Sequence, residues 1–214
     1  MTPATDSDLL ARLDALGIAH KTYAHAAVFT VEESRAACAH VPGGHTKNLF
    51  LKDKKDGLWL VVAREELRVD LNALSRALDS PRFSFGSAEL LIATLGVPPG
   101  SVTPFALIND PVGRVRVVLD AAMLALDPLN FHPLRNDRTT AISAEDLLKF
   151  VRATGHEPVV MALPERQRMA VLMHKYEGMD YSQIGEVLKL SESATKSLLF
   201  RAYQTLREKL KGFV

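Results

Sequence analysis

A single cysteine, Cys38, in 214 residues rules out an internal disulfide, so the fold must rest on buried apolar surface. The lone thiol suits a reducing compartment, and a cytoplasmic location is expected. No apolar run is long enough to span a bilayer, so no membrane partner is expected. The first residues, Met1-Thr2-Pro3-Ala4-Thr5-Asp6-Ser7-Asp8, are polar and acidic, unlike a secretory signal. Several catalytic signatures are missing too. There is no Gly-x-Ser-x-Gly elbow to present a serine nucleophile. The seven histidines, His20, His25, His40, His45, His132, His156 and His174, form no ligand spacing such as His-Glu-x-x-His, and no cysteine pair supports them. No metal is expected. Neither a phosphate loop nor a dinucleotide fingerprint occurs, and no cofactor is expected. Cys38 falls in a helical pattern without an obvious histidine partner and reads as inert, in packing or at the surface.

What is present is ordinary for a globular chain: 47% hydrophobic and 24% charged residues, enough for a core. Leu9, Leu10, Leu13 and Leu16 share one face of a helix over residues 6–16, which Gly17 stops. Residues 18–23 follow as a short strand. Thr30-Val31-Glu32-Glu33 is a capping-box pattern for a second helix reaching about residue 39. Residues 46–52 and 58–63 read as strands joined by the hairpin turn Lys54-Lys55-Asp56-Gly57. Asp70 caps a helix, residues 82–85 form a strand, and Ser87 opens a helix ending at Gly96. Residues 105–108 and 115–119 read as two strands, and 129–134 and 139–142 as shorter extended pieces. Ser143 caps a helix that Gly155 ends. Alternation of helices and strands with interspersed hairpins predicts a mixed α/β (α+β) fold, a mixed sheet or barrel with helices outside it.

The stretch Pro42-Gly43-Gly44-His45-Thr46-Lys47-Asn48 delivers the chain from a glycine turn into the first long strand. The glycines leave room for a ligand to approach the backbone, and Lys47 sets an ammonium beside open amides, a phosphate or carboxylate site. A lysine before a strand is ordinarily just solvated. Two further stretches add to the pattern: Gly100-Ser101-Val102-Thr103-Pro104, and Phe131-His132-Pro133-Leu134.

Together these three stretches resemble the YbaK/prolyl-tRNA editing superfamily over residues 7–163, with the free-standing Ala-tRNA(Pro) deacylases the nearest branch. The resemblance implies an enzyme that hydrolyses mischarged Ala-tRNA(Pro) in trans to alanine and tRNA(Pro). Serine or cysteine as the removed residue stays open. It implies a catalytic set of Lys47, Gly100, Ser101, Pro104 and His132. Lys47 would hold the phosphate near the terminal adenosine, and the 100–104 loop, a Gly-x-x-x-Pro motif, would fix the aminoacyl group and the water. His132 would orient substrate or shape the pocket wall. His45, Thr46, Asn48, Val102, Thr103, Asn109 and Asn136 are candidate substrate contacts. The tRNA would be met at its unpaired CCA end and acceptor stem, with Lys52, Lys54 and Lys55 as further backbone contacts. Prolyl-tRNA synthetase is a candidate partner. Ester hydrolysis of this kind needs a placed water, oxyanion donors and a firm grip rather than a side-chain nucleophile, which fits the missing elbow.

After Leu163 the texture turns all-helical, with helices over about 164–176, 181–188 and 191–210. The segment carries nine Lys/Arg against six Asp/Glu, a net +3. Leu163-Pro164-Glu165, Tyr181-Ser182-Gln183-Ile184-Gly185 and Thr195-Lys196-Ser197 resemble region 4 of bacterial sigma factors, a helix-turn-helix. Domains of residues 1–162 and 163–214 are expected. The resemblance makes Lys196 and Arg201 nucleic-acid contacts and DNA a candidate partner. Leu198, Phe200 and Tyr203 stand where that family often has basic or polar residues, so packing, oligomerisation and tRNA binding stay open beside DNA. A competing function is a DNA-binding transcriptional regulator whose deacylase-like domain only senses an aminoacyl group.

Overall fold

A computed structural model gives the fold. It describes residues 2–28, 38, 40–162, 166–175 and 177–210, without the side chains of residues 166–168, 172 and 205–210. The helix expected over residues 30–39, with its capping box, lies outside the described residues, as do Leu163, Pro164 and Glu165. The chain divides into two units: residues 1–66 with 75–163, and residues 67–74 with 164–214.

The first unit is organised by one long strand. In chain order its elements are α1 (Asp6–Ala15), β1 (Lys21–Ala24), β2 (Gly44–Asp53), β3 (Leu58–Arg64), β4 (Phe83–Phe85), α3 (Ala88–Leu95), β5 (Val115–Asp120), β6 (Leu129–Phe131), β7 (Arg138–Ile142), α4 (Ala144–Ala153) and β8 (Val159–Met161). Helix α2 (Leu71–Ala77) lies between β3 and β4 in sequence, and Asp70 Oδ1 accepts from Asn72 N and Ala73 N at its start. The eight strands form one mixed sheet in the order β1-β7-β6-β2-β3-β5-β8, with β4 also on β2.

Strand β2 is ten residues long because it serves three partners. Along one edge it runs antiparallel to β3, from Thr46 opposite Arg64 to Lys52 opposite Leu58. At its far end, Leu51 to Asp53 pair with β4; at its near end, Gly44 and His45 run parallel to Leu129 and Asn130 of β6. The β2–β3 turn is built on Asp53. Its buried carboxylate accepts from Lys55 N (2.8 Å), Gly57 N (3.0 Å) and Trp59 Nε1 (3.0 Å). A Cβ on Gly57 would run into that carboxylate.

The core forms where three helices cover the sheet. Leu9 and Leu13 of α1, Leu91 and Leu95 of α3, and Leu147, Phe150 and Val151 of α4 pack with Leu60, Val62, Val117 and Leu119. Each helix begins as its sequence dictates. Thr5 and Asp8 make a capping box, and Ser87 and Ser143 accept from Leu90 N and Asp146 N.

Residues 105–108 are not a strand, contrary to expectation. Pro104–Asn109 is a short 3-10 helix, with Thr103 accepting from Phe105 N and Pro104 in its first turn. Phe105, Ala106 and Leu107 are fully buried there, and a continuously apolar run carries no period that separates helix from strand. The strand β8, which pairs parallel with β5, had no sequence expectation at all.

The second unit contains α5 (Arg166–Lys175), α6 (Tyr181–Leu188) and α7 (Glu192–Leu210). Asp180 and Gln183 form a capping box on α6, and Lys189 ends it in the left-handed conformation at φ 53°. A Cβ on Gly185 would sit 2.8 Å from Leu190 O and 3.1 Å from Thr195 Oγ1, so this glycine sets the tight turn between α6 and α7. Ala170, Ile184, Leu188, Leu198 and Leu199 form its core. Among the described residues, no helix is long and apolar enough to cross a membrane.

Candidate active site

Strands β2, β6 and β7 enclose a small polar cavity of about 20 Å³, lined by His45, Thr46, Asn48, Asn130, Phe131, His132 and Thr139. The glycines at the start of β2 create the junction. Gly43 has φ 105°, and a Cβ there would fall on Pro128 O; one on Gly44 would meet the Leu126 side chain. Gly44 N then donates to Pro128 O at 2.8 Å, which seats β6 beside β2. The expectation that these glycines leave room for a ligand is therefore corrected: Pro128 and Leu126 occupy that space.

Four of the expected site residues meet in this cavity: His45, Thr46, Asn48 and His132. Thr46 Oγ1 donates to Asn130 O at 2.8 Å. His132 Nδ1 lies 2.9 Å from Arg138 O. A carbonyl only accepts, so the ring proton sits on Nδ1 and Nε2 is left as an acceptor. Burial pushes the His132 pKa below the usual histidine value, and nearby His25 adds to that; the Arg138 hydrogen bond and Asp137 pull the other way. The imidazole is thus neutral at neutral pH.

The His25 ring lies 6.1 Å from the His132 ring, centroid to centroid. His25 Nδ1 donates to Ala26 O (2.7 Å), and His25 Nε2 lies 2.9 Å from Thr139 Oγ1. Thr139 Oγ1 in turn lies 3.6 Å from the Cys38 thiol. Cys38 is buried there, which places it in packing rather than at the surface, the two readings its isolation in the sequence allowed.

Lys47 is half-buried on β2, opposite Ala63, and its side chain leaves the strand on the face away from Thr46 and Asn48. Neither Lys47 nor residues 100–104 are among the described residues lining the cavity. Gly100 adopts φ 87° in an exposed position, whereas Ser101, Thr103 and Pro104 are buried and Val102 is half-buried. The loop meets the cavity wall at one remove: Thr103 caps the turn that holds Phe105, and the Phe105 ring lies edge-on to Phe131 of the cavity wall at 5.7 Å. Asn109 and Asn136 are committed elsewhere. Asn109 accepts from Ala4 N and donates to Leu95 O, and Asn136 donates to Val28 O, so both tie segments together, and neither lines the cavity.

Lys52 pairs with Asp56 at 2.6 Å, and Lys54 and Lys55 are exposed on the turn. In the second unit Lys196 pairs with Glu192 and lies over the Tyr181 ring, and Arg201 is exposed. Of the apolar residues singled out on α7, Leu198 belongs to the core and Tyr203 OH meets His174 Nδ1 at 3.0 Å; Phe200 is 70% exposed.

Asn130, Thr139 and His25 were not among the expected site residues, and Phe131 was read only as part of the 131–134 stretch. The sole available signal was Asn130, a polar residue between the buried Leu129 and Phe131 in a strand where all three are buried. The β6–β2 pairing that gives it meaning spans only two residues and leaves no pattern.

Comparison with known proteins adds the following. The family model of the aminoacyl-tRNA editing domain matches residues 25–150, and that of sigma-70 region 4 matches residues 159–206. The chain is 41% identical over 155 residues to prolyl-tRNA synthetase associated domain-containing protein 1 of Bos taurus, covering 70% of this chain and 90% of that protein. It is 35% identical over 149 residues to the prolyl-tRNA editing protein ProX of Acetoanaerobium sticklandii, covering 69% and 91%. A crystal structure described as a candidate trans-editing enzyme for prolyl tRNA synthetase shares the fold, with a TM-score of 0.58 at 19% identity, over 76% of this chain and 98% of that one.

Proposed function

The chain belongs to the aminoacyl-tRNA editing domain family, whose chemistry is deacylation of aminoacyl-tRNA, and on that premise we propose that it hydrolyses mischarged Ala-tRNA(Pro) in trans. The observation that carries this reading is the polar cavity beside a neutral His132, in a chain aligned along nine-tenths of relatives that include a prolyl-tRNA editing protein.

The chemistry follows from the groups in place. The substrate is an activated ester, so water attack needs orientation and a proton acceptor more than a covalent nucleophile. His132 Nε2 is a neutral acceptor on a ring whose other nitrogen is fixed by Arg138 O. It orients the attacking water or the vicinal ribose hydroxyl. Lys47 stands on the neighbouring strand and anchors a phosphate of the CCA end, a contact that should fade with salt. The cavity is close to water-sized, which supports a small acyl side chain: bulkier ones are rejected by overlap. In the second unit, the region 4 match and the net charge of +3 support contact with a nucleic-acid backbone.

The test is a deacylation panel on tRNA(Pro) carrying alanine, serine, cysteine or proline. Alanine should be released far faster than proline, and Lys47→Ala should raise KM with a weaker salt dependence. An alanyl ester that outlasts its spontaneous lifetime in the presence of the protein would refute the reading.

A further inference from the structure

The second unit carries an aromatic and basic hollow that ester cleavage leaves unused. It measures about 550 Å³, with Tyr181, Lys196, Ser197, Phe200, Arg201 and Tyr203 among its lining residues. That volume is within the range of small-ligand sites, about 300–1,000 Å³. Two of its three rings are already engaged. His174 stacks on Tyr181 with centroids 5.4 Å apart and planes 10° apart, and His174 Nδ1 lies 3.0 Å from Tyr203 OH. Phe200 differs: it stands on α7 at 70% exposure, so the fold gains little from its ring. Lys196 and Phe200 are four residues apart, as are Ser197 and Arg201, so all four share one face of the helix.

A helix-turn-helix reads duplex DNA with the first residues of its second helix, against base edges in the major groove. Here Glu192 opens α7, and its carboxylate pairs with Lys196 at 2.7 Å, which offsets the charge that a groove phosphate would meet. In a duplex, stacking covers both faces of each base, so a protruding ring finds no face to lie on. An unpaired base offers a whole face, and proteins hold such bases by stacking them on aromatic side chains. Arg201 follows Phe200 directly, and Lys196 stands one turn before it, so cations flank the ring along the helix where the phosphates of a stacked nucleotide would run. Residues 164–214 carry nine Lys/Arg against six Asp/Glu, a net +3, which favours a polyanion over a second copy bearing the same charge.

We propose that this hollow is an RNA site, in which Phe200 stacks on an unpaired loop base of the tRNA while Lys196 and Arg201 hold the flanking phosphates. The proposal deepens the deacylase reading and rests on it for the identity of the RNA. A second grip on the same chain raises affinity for tRNA without a new contact to the ester.

The experiment measures binding of uncharged tRNA(Pro), a single-stranded RNA oligomer and a duplex DNA oligomer to full-length parent, Phe200→Ala and Phe200→Trp. Phe200 lies outside the core of its unit, so its truncation leaves that core intact. Phe200→Ala should weaken both RNAs about 5- to 150-fold, as for loss of one base–aromatic stack, and the duplex less than about threefold. Phe200→Trp keeps a ring and should bind RNA as the parent does. Its new indole emission should be quenched by both RNAs and not by the duplex, over a background from Trp59, which is 3% exposed. Unchanged RNA affinity in Phe200→Ala would overturn the proposal. So would equal losses on RNA and duplex, or a loss confined to the duplex, which is the major-groove reading. Loss of self-association with RNA binding intact would overturn it in favour of a contact between copies. Quenching by the oligomer but not by tRNA(Pro) would overturn the assignment to tRNA. None of these readouts needs ester cleavage, so a parent that stacks tRNA in this way yet spares alanyl-tRNA(Pro) would refute the deacylase reading alone.

Discussion

Gly43→Ala should damage both stability and activity, because the site depends on one backbone approach. Gly43 holds φ 105°, a region that costs an L-residue about 1–3 kcal/mol. The new Cβ would also fall on Pro128 O, a backbone atom that cannot rotate away. Relieving the overlap means moving the 126–128 segment, which breaks the Gly44 N to Pro128 O hydrogen bond at a further cost of about 1 kcal/mol. The expected loss is about 2–4 kcal/mol. Gly44→Ala meets only the side chain of Leu126, which can change rotamer, so about 1 kcal/mol is expected there. Trp59, the single tryptophan, is 3% exposed in the first unit, so its fluorescence reports unfolding of that unit. With a urea m-value of about 2 kcal/mol/M, Gly43→Ala should lower the midpoint by about 1–2 M. Activity should fall further than stability explains, since the displaced strand carries Asn130 and Phe131 and leads directly to His132, and a shift of about 1 Å can cost about 100-fold. A Gly43→Ala protein within about 0.5 kcal/mol of the parent, or as active, would refute this account of how β6 is seated.

Three other outcomes follow from the same geometry. The deacylation rate should stay level through neutral pH and decline only below the ordinary histidine value of about 6.5, because burial holds the His132 pKa down; stability linked to this ring is likewise present above about 6.5 and lost as pH falls, and His132→Gln should flatten the rate profile in that range. Asp53→Ala should cost about 2–4 kcal/mol in Trp59-monitored urea unfolding, since it strips the acceptor from buried Trp59 Nε1 and from two turn amides. Burial pushes the Asp53 carboxyl up, but its hydrogen bonds from Trp59, Lys55, Gly57 and Ser80 prevail and hold it low, so the parent loses this contribution as pH falls below about 3.9 and the variant has none to lose. Thr103→Val should lower stability by about 1 kcal/mol through loss of the cap on Phe105, seen as a lower Tm, and should leave KM closer to the parent than Lys47→Ala does.

Much of the fold was written in local signals. The Lys54-Lys55-Asp56-Gly57 turn, the serine caps at Ser87 and Ser143, and the leucine face of α1 each depend on residues within a few positions, so a chain read in order reveals them. The same holds for the Asp180 box and Gly185 of the helix-turn-helix. The run from Phe105 to Ile108 is apolar throughout and carries no period, so by sequence it reads as a strand, although Thr103 caps it and Pro104 opens its short 3-10 helix. Of the site, His45, Thr46, Asn48 and His132 were legible through motif resemblance, and they do converge on one cavity. The sequence by itself determined most of the helices and strands of the described residues and which family the chain resembles, because capping, turn chemistry and hydrophobic period act between near neighbours. Tertiary structure alone decided that Gly43 and Gly44 make room for Pro128 and Leu126 rather than for a ligand, and that Asn130 faces the same space as Asn48. Those facts arise from strands more than eighty residues apart meeting over two paired positions, a contact too short to leave a period in the chain.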